Sequence, residues 1–572
     1  MRTDIFKTSC AARAIALAAF VSVPATAQSA PELAERTVQS DLPLEGPRAA
    51  MQIRHVRLAI AVDPEARRID GTGEYRIAVS QDLSQLQFDF DPRYAVSGVT
   101  VNGRDVAPSA VSNPDGLMTI DLPRSLDGGD TVDVGIAYSG SPHVARNAPW
   151  SGGIVWDEFE GQPWIATAFQ GEGCDLLWPC IDNSAHRVGE IETLWTVPTG
   201  LVATGNGALV SETDNGDGTT TFHWRARDPS NYGVVLQIGP YELAESTYDS
   251  RYGNTVPIRF WHLPGNEEGA NRLVGEMADY LQFFEEVIGP YPFADEKAGI
   301  VETPHLGMEH QTINAYGNRF RRDPLGYDWL LHHEFAHEWF ANQLTHQDKR
   351  HMWLHEGIGT WMQPLYLGWA RGQMTYDAEM WRQRQGILSR VPLVPPEGEL
   401  PDYNDSEAGW GGDIYAKGAW IMHTLRHVVG DDVLFPALRE LTYGTDAPAP
   451  GDFSPVSRTT EDFRRILEER GSGDLEWFFD AYFYQADLPR LVTERSGNTL
   501  SFRWQTASAM PFEMPLDVRM GNETVRVPMS GGRGTLALPG EHTSFLADPD
   551  NRILKYDEAI AHWQEERLRG RF

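Results

Sequence analysis

Two histidines stand four residues apart in His333-Glu334-Phe335-Ala336-His337, and Glu356 follows His337 by nineteen residues. On a helix that spacing puts both imidazoles on one face, about one turn apart. Both can then reach one metal ion. A zinc held by two histidines needs a third protein ligand and an open position. Glu356, inside Trp353-Leu354-His355-Glu356-Gly357, is the candidate third ligand. Glu334 lies beside the imidazoles, where a carboxylate can hold and deprotonate a water. The short motif alone also fits a buried helix with satisfied histidines; the added carboxylate at this distance favours the metal.

The flanks predict two packed helices. Asp323-Pro324 reads as an N-cap followed by proline at the first helical position. Trp329, Leu330, Phe335, Ala336, Trp339 and Phe340 supply apolar bulk around the polar face. Leu354, Ile358, Trp361, Met362 and Leu365 predict a second helix, which Pro364 should kink or end early.

The 572 residues suffice for several domains, and 18 tryptophans with 24 phenylalanines argue for packed cores rather than disorder. A formal net charge of −33 argues against nucleic acid as a partner. The N-terminus has the form of a processing segment over 1–27. Arg2, Lys7 and Arg13 precede the short apolar run Ala14–Val23 and the cleavage site Ala25-Thr26-Ala27. The expectation is an exported protein, periplasmic or secreted, with no transmembrane segment. In that setting Cys174 and Cys180 either close a small disulfide loop or remain buried free thiols.

Taken in order, residues 28–48 read as an extended polar lead-in. Alternating strand patterns and turn signals such as Asn102-Gly103 and Asp127-Gly128-Gly129 then predict an all-β domain over 28–248. Residues 249–486 turn largely helical around the metal motif, with a loop-rich stretch at 371–412. Residues 487–556 alternate again like a small β-sandwich, and 557–572 form a charged tail that reads as a surface helix.

The pair His-Glu-Phe-Ala-His and Trp-Leu-His-Glu-Gly resembles the gluzincin zinc metallopeptidases. Among them it is most similar to the aminopeptidase N family, which includes the leukotriene hydrolases. The resemblance implies a multidomain α+β chain. Its parts would be an N-terminal saddle-like β-domain, a thermolysin-like α/β zinc domain and the small C-terminal β-sandwich. It also implies one zinc ion per chain on His333, His337 and Glu356, with Glu334 as general base.

Further motifs extend the likeness. Leu306-Gly307-Met308-Glu309-His310 resembles the family's exopeptidase motif, with Leu306 and His310 departing from the usual glycine and asparagine. Gly307, Met308 and Glu309 are therefore expected to bind substrate. Glu309 would pair with a free α-ammonium, as a buried carboxylate on an edge strand can. Gln170, ten residues before Cys180, resembles the residue that reaches from the β-domain to help hold that amine; Asp175 stands where an arginine is usual. Tyr415 in Tyr415-Ala416-Lys417-Gly418-Ala419 resembles the tyrosine whose hydroxyl stabilises the tetrahedral oxyanion, a sound use of a phenol donor. His332, Glu338 and His355 read as bystanders or supports of the ligands.

The expected function is removal of N-terminal residues from peptides with a free amine. The alternatives are an epoxide hydrolase of the leukotriene hydrolase type, an endopeptidase, or a non-catalytic peptide-binding protein of the same fold.

Overall fold

The structure is a computed structural model that describes residues 32–399, 410–451 and 454–569. The segment 1–27, the end of the proline-rich stretch at 400–401 and the glycine at 409 lie outside the described residues.

An eight-stranded sheet opens the chain. Its order is Ala208–Asp214, Thr219–Arg227, Glu190–Pro198, Met51–Asp63, Arg68–Val79, Thr131–Gly140, Ala95–Val101 and Arg104–Asp105. One face is buried at alternate residues, as in Val56, Leu58 and Ile60, because successive strand side chains point to opposite sides. A four-stranded sheet carries Gln162–Ala168, which delivers Gln170 at its end. The region is β-rich, as expected.

The lead-in differs from its expected extended form. It makes two short helical turns, Glu35–Val38 and Gly46–Ala50, the second with Pro47 in its first turn. Arg36 and Arg48 both pair with the nearly buried Asp89, at 2.8 and 3.2 Å, and so hold the segment to the sheet.

A five-stranded sheet then runs Glu242–Asp249, Thr255–His262, Ala298–Glu302, Asn314–Tyr316 and Gly307–Met308. Its first strand straddles residue 248, where the sequence reading placed a domain limit. Gly307–Met308 is the edge strand, antiparallel to Asn314–Tyr316. Behind the sheet the helices Glu267–Val287, Trp329–Ala336, Trp353–Arg371 and Trp410–Val429 share one core in which Trp339, Trp353, Trp361 and Trp420 are buried. Two three-stranded sheets formed from Arg490 onward follow, then the helix Glu558–Leu568.

Three local expectations are corrected. The first metal-motif helix is capped by Asp328, whose carboxylate accepts from the Leu331 N–H at 3.1 Å; Asp323 lies a turn upstream of it. Pro364 neither ends nor splits the second helix, which runs Trp353–Arg371. A proline here leaves the carbonyl four residues back without its helical donor, and Gln383 Nε2 donates to that Thr360 carbonyl at 3.3 Å instead. Gln383 belongs to the helix Gln373–Arg384, inside the stretch read as loop; its Tyr376 and Met380 are buried against the neighbouring helices. Cys174 and Cys180 form a disulfide.

Candidate metal centre and active site

His333 and His337 project from the end of the helix Trp329–Ala336 toward Glu356 on the helix Trp353–Arg371. His333 Nε2 and His337 Nε2 are 3.2 Å apart, and Glu356 Oε2 lies 3.3 and 3.4 Å from them. Ligand atoms at about 2.0–2.2 Å from a tetrahedral zinc are about 3.3–3.6 Å from one another. The three donors thus form one face of such a tetrahedron, all buried. His337 Nδ1–H donates to the Phe340 carbonyl at 3.0 Å, which leaves Nε2 free to ligate. That carbonyl is offered by the wide turn Glu338–Gln343 that ends the helix.

The expected bystanders do not support the ligands directly. His332 sits among the rings of Tyr280, Phe284 and Tyr366. Glu338 accepts from the Thr312 N–H at 2.8 Å and from Asn314 at 3.0 Å. His355 accepts from the His346 N–H at 3.2 Å.

Glu334 faces the edge strand. A Cβ built on Gly307 would press on the Glu334 carboxylate and lie 2.7 Å from Leu330 Cδ1, so a larger residue there must displace those two side-chain ends. Burial raises the Glu334 carboxyl well above the usual carboxylate range, with His337 opposing and Glu309 adding to the shift.

Met308 is buried and Glu309 follows it. Gln170 Nε2 donates to Glu309 Oε1 at 2.7 Å, so the loop from the four-stranded sheet meets the edge strand. Tyr232 donates to the same oxygen at 2.9 Å. Sequence reading missed Tyr232; it lies 77 residues before Glu309 in an irregular segment that carries no local signal. Asn342 Nδ2 donates to the Glu309 backbone carbonyl at 3.0 Å and ties the anchor to the turn after His337. Leu306 and His310 keep the turn through their backbones, accepting from Gly317 at 2.6 Å and Ile313 at 2.9 Å.

Tyr415 reaches the centre because two helices cross at glycines. A Cβ on Gly357 would lie 2.9 Å from the Gly418 Cα and 3.0 Å from the Ile414 carbonyl. Backbone thus packs on backbone one residue from Glu356 and three from Tyr415. The Tyr415 and His333 rings are 5.7 Å apart. Burial, then the Glu356, Glu309 and Glu334 carboxylates, hold the phenol well above its usual pKa, so it remains a hydrogen-bond donor.

Residues 321–482, which hold all three metal ligands and Tyr415, match the Peptidase family M1 domain. The chain thus carries a peptidase family M1 domain and is similar to aminopeptidases of that family. Aminopeptidase M1-B of Oryza sativa subsp. japonica is 23% identical over 479 residues, 79% of this chain and 52% of the relative. Aminopeptidase N of Streptomyces lividans is 26% identical over 307 residues, 49% of this chain and 34% of the relative. The chain spans about half, or less, of the length of these relatives. A crystallised M1 zinc metallopeptidase from Deinococcus radiodurans, a substituted form bound to a Tyr-Ser-Ala substrate, shares the fold. Its TM-score is 0.66 at 22% identity, over 77% of this chain and 96% of that one.

Proposed function

We propose that this M1 protein is a zinc-dependent aminopeptidase, removing N-terminal residues from peptides with a free amine. One observation carries the reading. A buried carboxylate, Glu309, is held by Gln170 and Tyr232 at an edge strand packed against the helix of His333, Glu334 and His337. An ammonium anchor beside a three-ligand metal centre selects chain ends, because an acylated amine would leave the anchor unpaired. The named activities of the relatives and the peptide bound by the Deinococcus protein support the same reading.

His333, His337 and Glu356 fit zinc in donor type, spacing and burial, one ion per chain at this centre. A zinc bound there would supply Lewis acidity to the scissile carbonyl and to the attacking water. The residues do the rest. Glu309 and Gln170 hold the substrate ammonium, and the edge backbone of Gly307 and Met308 can hydrogen-bond the extended peptide. Glu334 takes the proton of the attacking water and passes it to the leaving amine. Tyr415 donates to the oxygen on which negative charge develops.

We further propose that the protein is exported by way of residues 1–27. Support is the basic, apolar and small-residue order of that segment. Among the described residues no helix is long and apolar enough to cross a membrane. Cell fractionation with N-terminal sequencing tests this; full-length protein in the cytoplasm overturns it.

The activity is tested with aminoacyl chromogenic amides, each offered with its amine free and acetylated. Cleavage of the free forms alone, abolished by chelation and by Glu334→Gln, is expected. Cleavage of blocked forms overturns amine anchoring. No cleavage by zinc-loaded protein moves the reading to the epoxide hydrolase or the peptide-binding protein.

A further inference from the structure

A second set of metal-ligating side chains lies on the eight-stranded sheet, outside the M1 site. His55 on the strand Met51–Asp63 stands opposite Glu190 of the parallel strand Glu190–Pro198. Glu192, two residues on, points from the same face. His223 comes from the strand on the other side, Thr219–Arg227. His55 Nε2 is 3.1 Å from Glu192 Oε1 and 3.8 Å from Glu190 Oε1. His223 Nε2 is 2.7 Å from the other Glu192 oxygen.

The chemistry of this group is specific. By register Glu192 stands across from Arg57 on one side and Arg225 on the other, an arrangement that favours cross-strand ion pairs. Both of its oxygens go to imidazoles instead, and Arg57 approaches Glu74 at 3.7 Å. The donor atoms of His55, Glu190 and Glu192 all lie within 4.8 Å of one another. The two short separations, 3.1 and 3.8 Å, bracket the edge of a zinc tetrahedron, about 3.3–3.6 Å. Two carboxylates neutralise a dication. An imidazole beside them favours a borderline first-row metal over calcium or magnesium, which take oxygen ligands.

We propose that His55, Glu190 and Glu192 form a second, exchangeable site for a borderline divalent cation of the zinc type. His223 fixes the far oxygen of Glu192 and so orients that ligand. The side chains of His55, Glu190 and Glu192 are 33, 40 and 26% exposed, so solvent completes the coordination and the ion exchanges with the medium. Bound there, it clasps two parallel strands together and stabilises the folded chain by an amount that rises with the logarithm of free metal above its Kd.

The test uses full-length protein whose catalytic site is already zinc-loaded. It is dialysed against buffered micromolar Zn²⁺, and zinc is counted per chain in wild type, His55→Ala and Glu190→Gln. Wild type is expected to hold one equivalent more than either variant, with all three equal in peptidase activity. A second readout needs no variant: zinc should slow carbethoxylation of His55 several-fold, followed by peptide mass spectrometry. Equal stoichiometry in all three proteins overturns the site. So does a His55 modification rate that zinc leaves unchanged; the histidines are then only ion-pair partners of Glu192.

Discussion

Tyr232 donates its hydroxyl hydrogen to Glu309 Oε1 at 2.9 Å, the atom that Gln170 also binds. One carboxylate oxygen therefore carries two neutral donors, which fix the carboxylate proposed to bind the substrate ammonium. Tyr232 is a positioning residue, acting through Glu309. Tyr232→Phe removes a bond to a charged group, worth about 1.5 kcal/mol, or roughly tenfold in kcat/KM. The loss should appear as raised KM on free-amine substrates, with zinc content and kcat little changed. An equal fall in kcat at unchanged KM would place Tyr232 elsewhere in the reaction.

The Gly307–Glu334 contact predicts a different signature. Gly307→Ala puts a methyl against the Glu334 carboxylate and Leu330. The general base must swing away, so kcat should fall by about a hundredfold, in the range of a lost general base. Zinc counted by atomic absorption should remain, since no ligand is touched. Retained kcat would show that the strand yields instead.

Tyr415→Phe should lower kcat by about 10²–10³, as loss of an oxyanion donor does, with KM nearly constant. Gly418→Ala should cost activity in the same way, although it touches no substrate, because its methyl would meet the Gly357 Cα at 2.7 Å and move Tyr415 off the metal centre. A Gly418→Ala enzyme with wild-type kcat would break that link.

A pH-dependent stability term should come from His423, on the helix Trp410–Val429. Its Nδ1 accepts from the Tyr376 hydroxyl at 2.6 Å and its Nε2–H donates to the Asn551 carbonyl at 3.2 Å, so the folded chain holds it neutral. Burial first, then Arg552, lowers its pKa to about 3. The unfolded chain takes up the proton first as pH falls below about 6.5. Folded stability from this group is thus complete above that pH and is lost as pH falls toward 3. Relative to His423→Gln, wild type should lose up to about 1.4 kcal/mol per pH unit across that window. Urea melts at pH 7, 6 and 5 read the difference; a constant gap would refute the buried neutral imidazole.

The Cys174–Cys180 disulfide closes a short loop four residues after Gln170. Its removal by Cys174→Ser with Cys180→Ser should cost about 2 kcal/mol by loop entropy. If the loop also seats Gln170, KM on free-amine substrates rises as well; an unchanged KM would make the bond purely structural.

The metal centre was legible in the chain because its logic is local. Four-residue spacing on a helix sets the imidazole pair, and a second helix pattern carries Glu356. Alternation likewise announced the β-rich opening and the closing sheets. The errors fell where a distant partner decides. Pro364 reads as a helix breaker until Gln383, on a helix the sequence did not show, supplies a donor to the Thr360 carbonyl. The cap is a local error instead, since Asp328, close by in the chain, takes the role that Asp323-Pro324 suggests. The amine anchor divides along the same line. Glu309 stands in a recognisable motif, but Tyr232 and Asn342 reach it only through folding. The sequence by itself determined which side chains could ligate, accept protons and donate hydrogen bonds, since those follow from residue type and short-range periodicity. Only the tertiary structure decided which of them meet. The glycine crossing of Gly357 and Gly418, the closeness of Gly307 to Glu334 and the clustering of His55, Glu190, Glu192 and His223 all depend on packing between segments that carry no mark of one another.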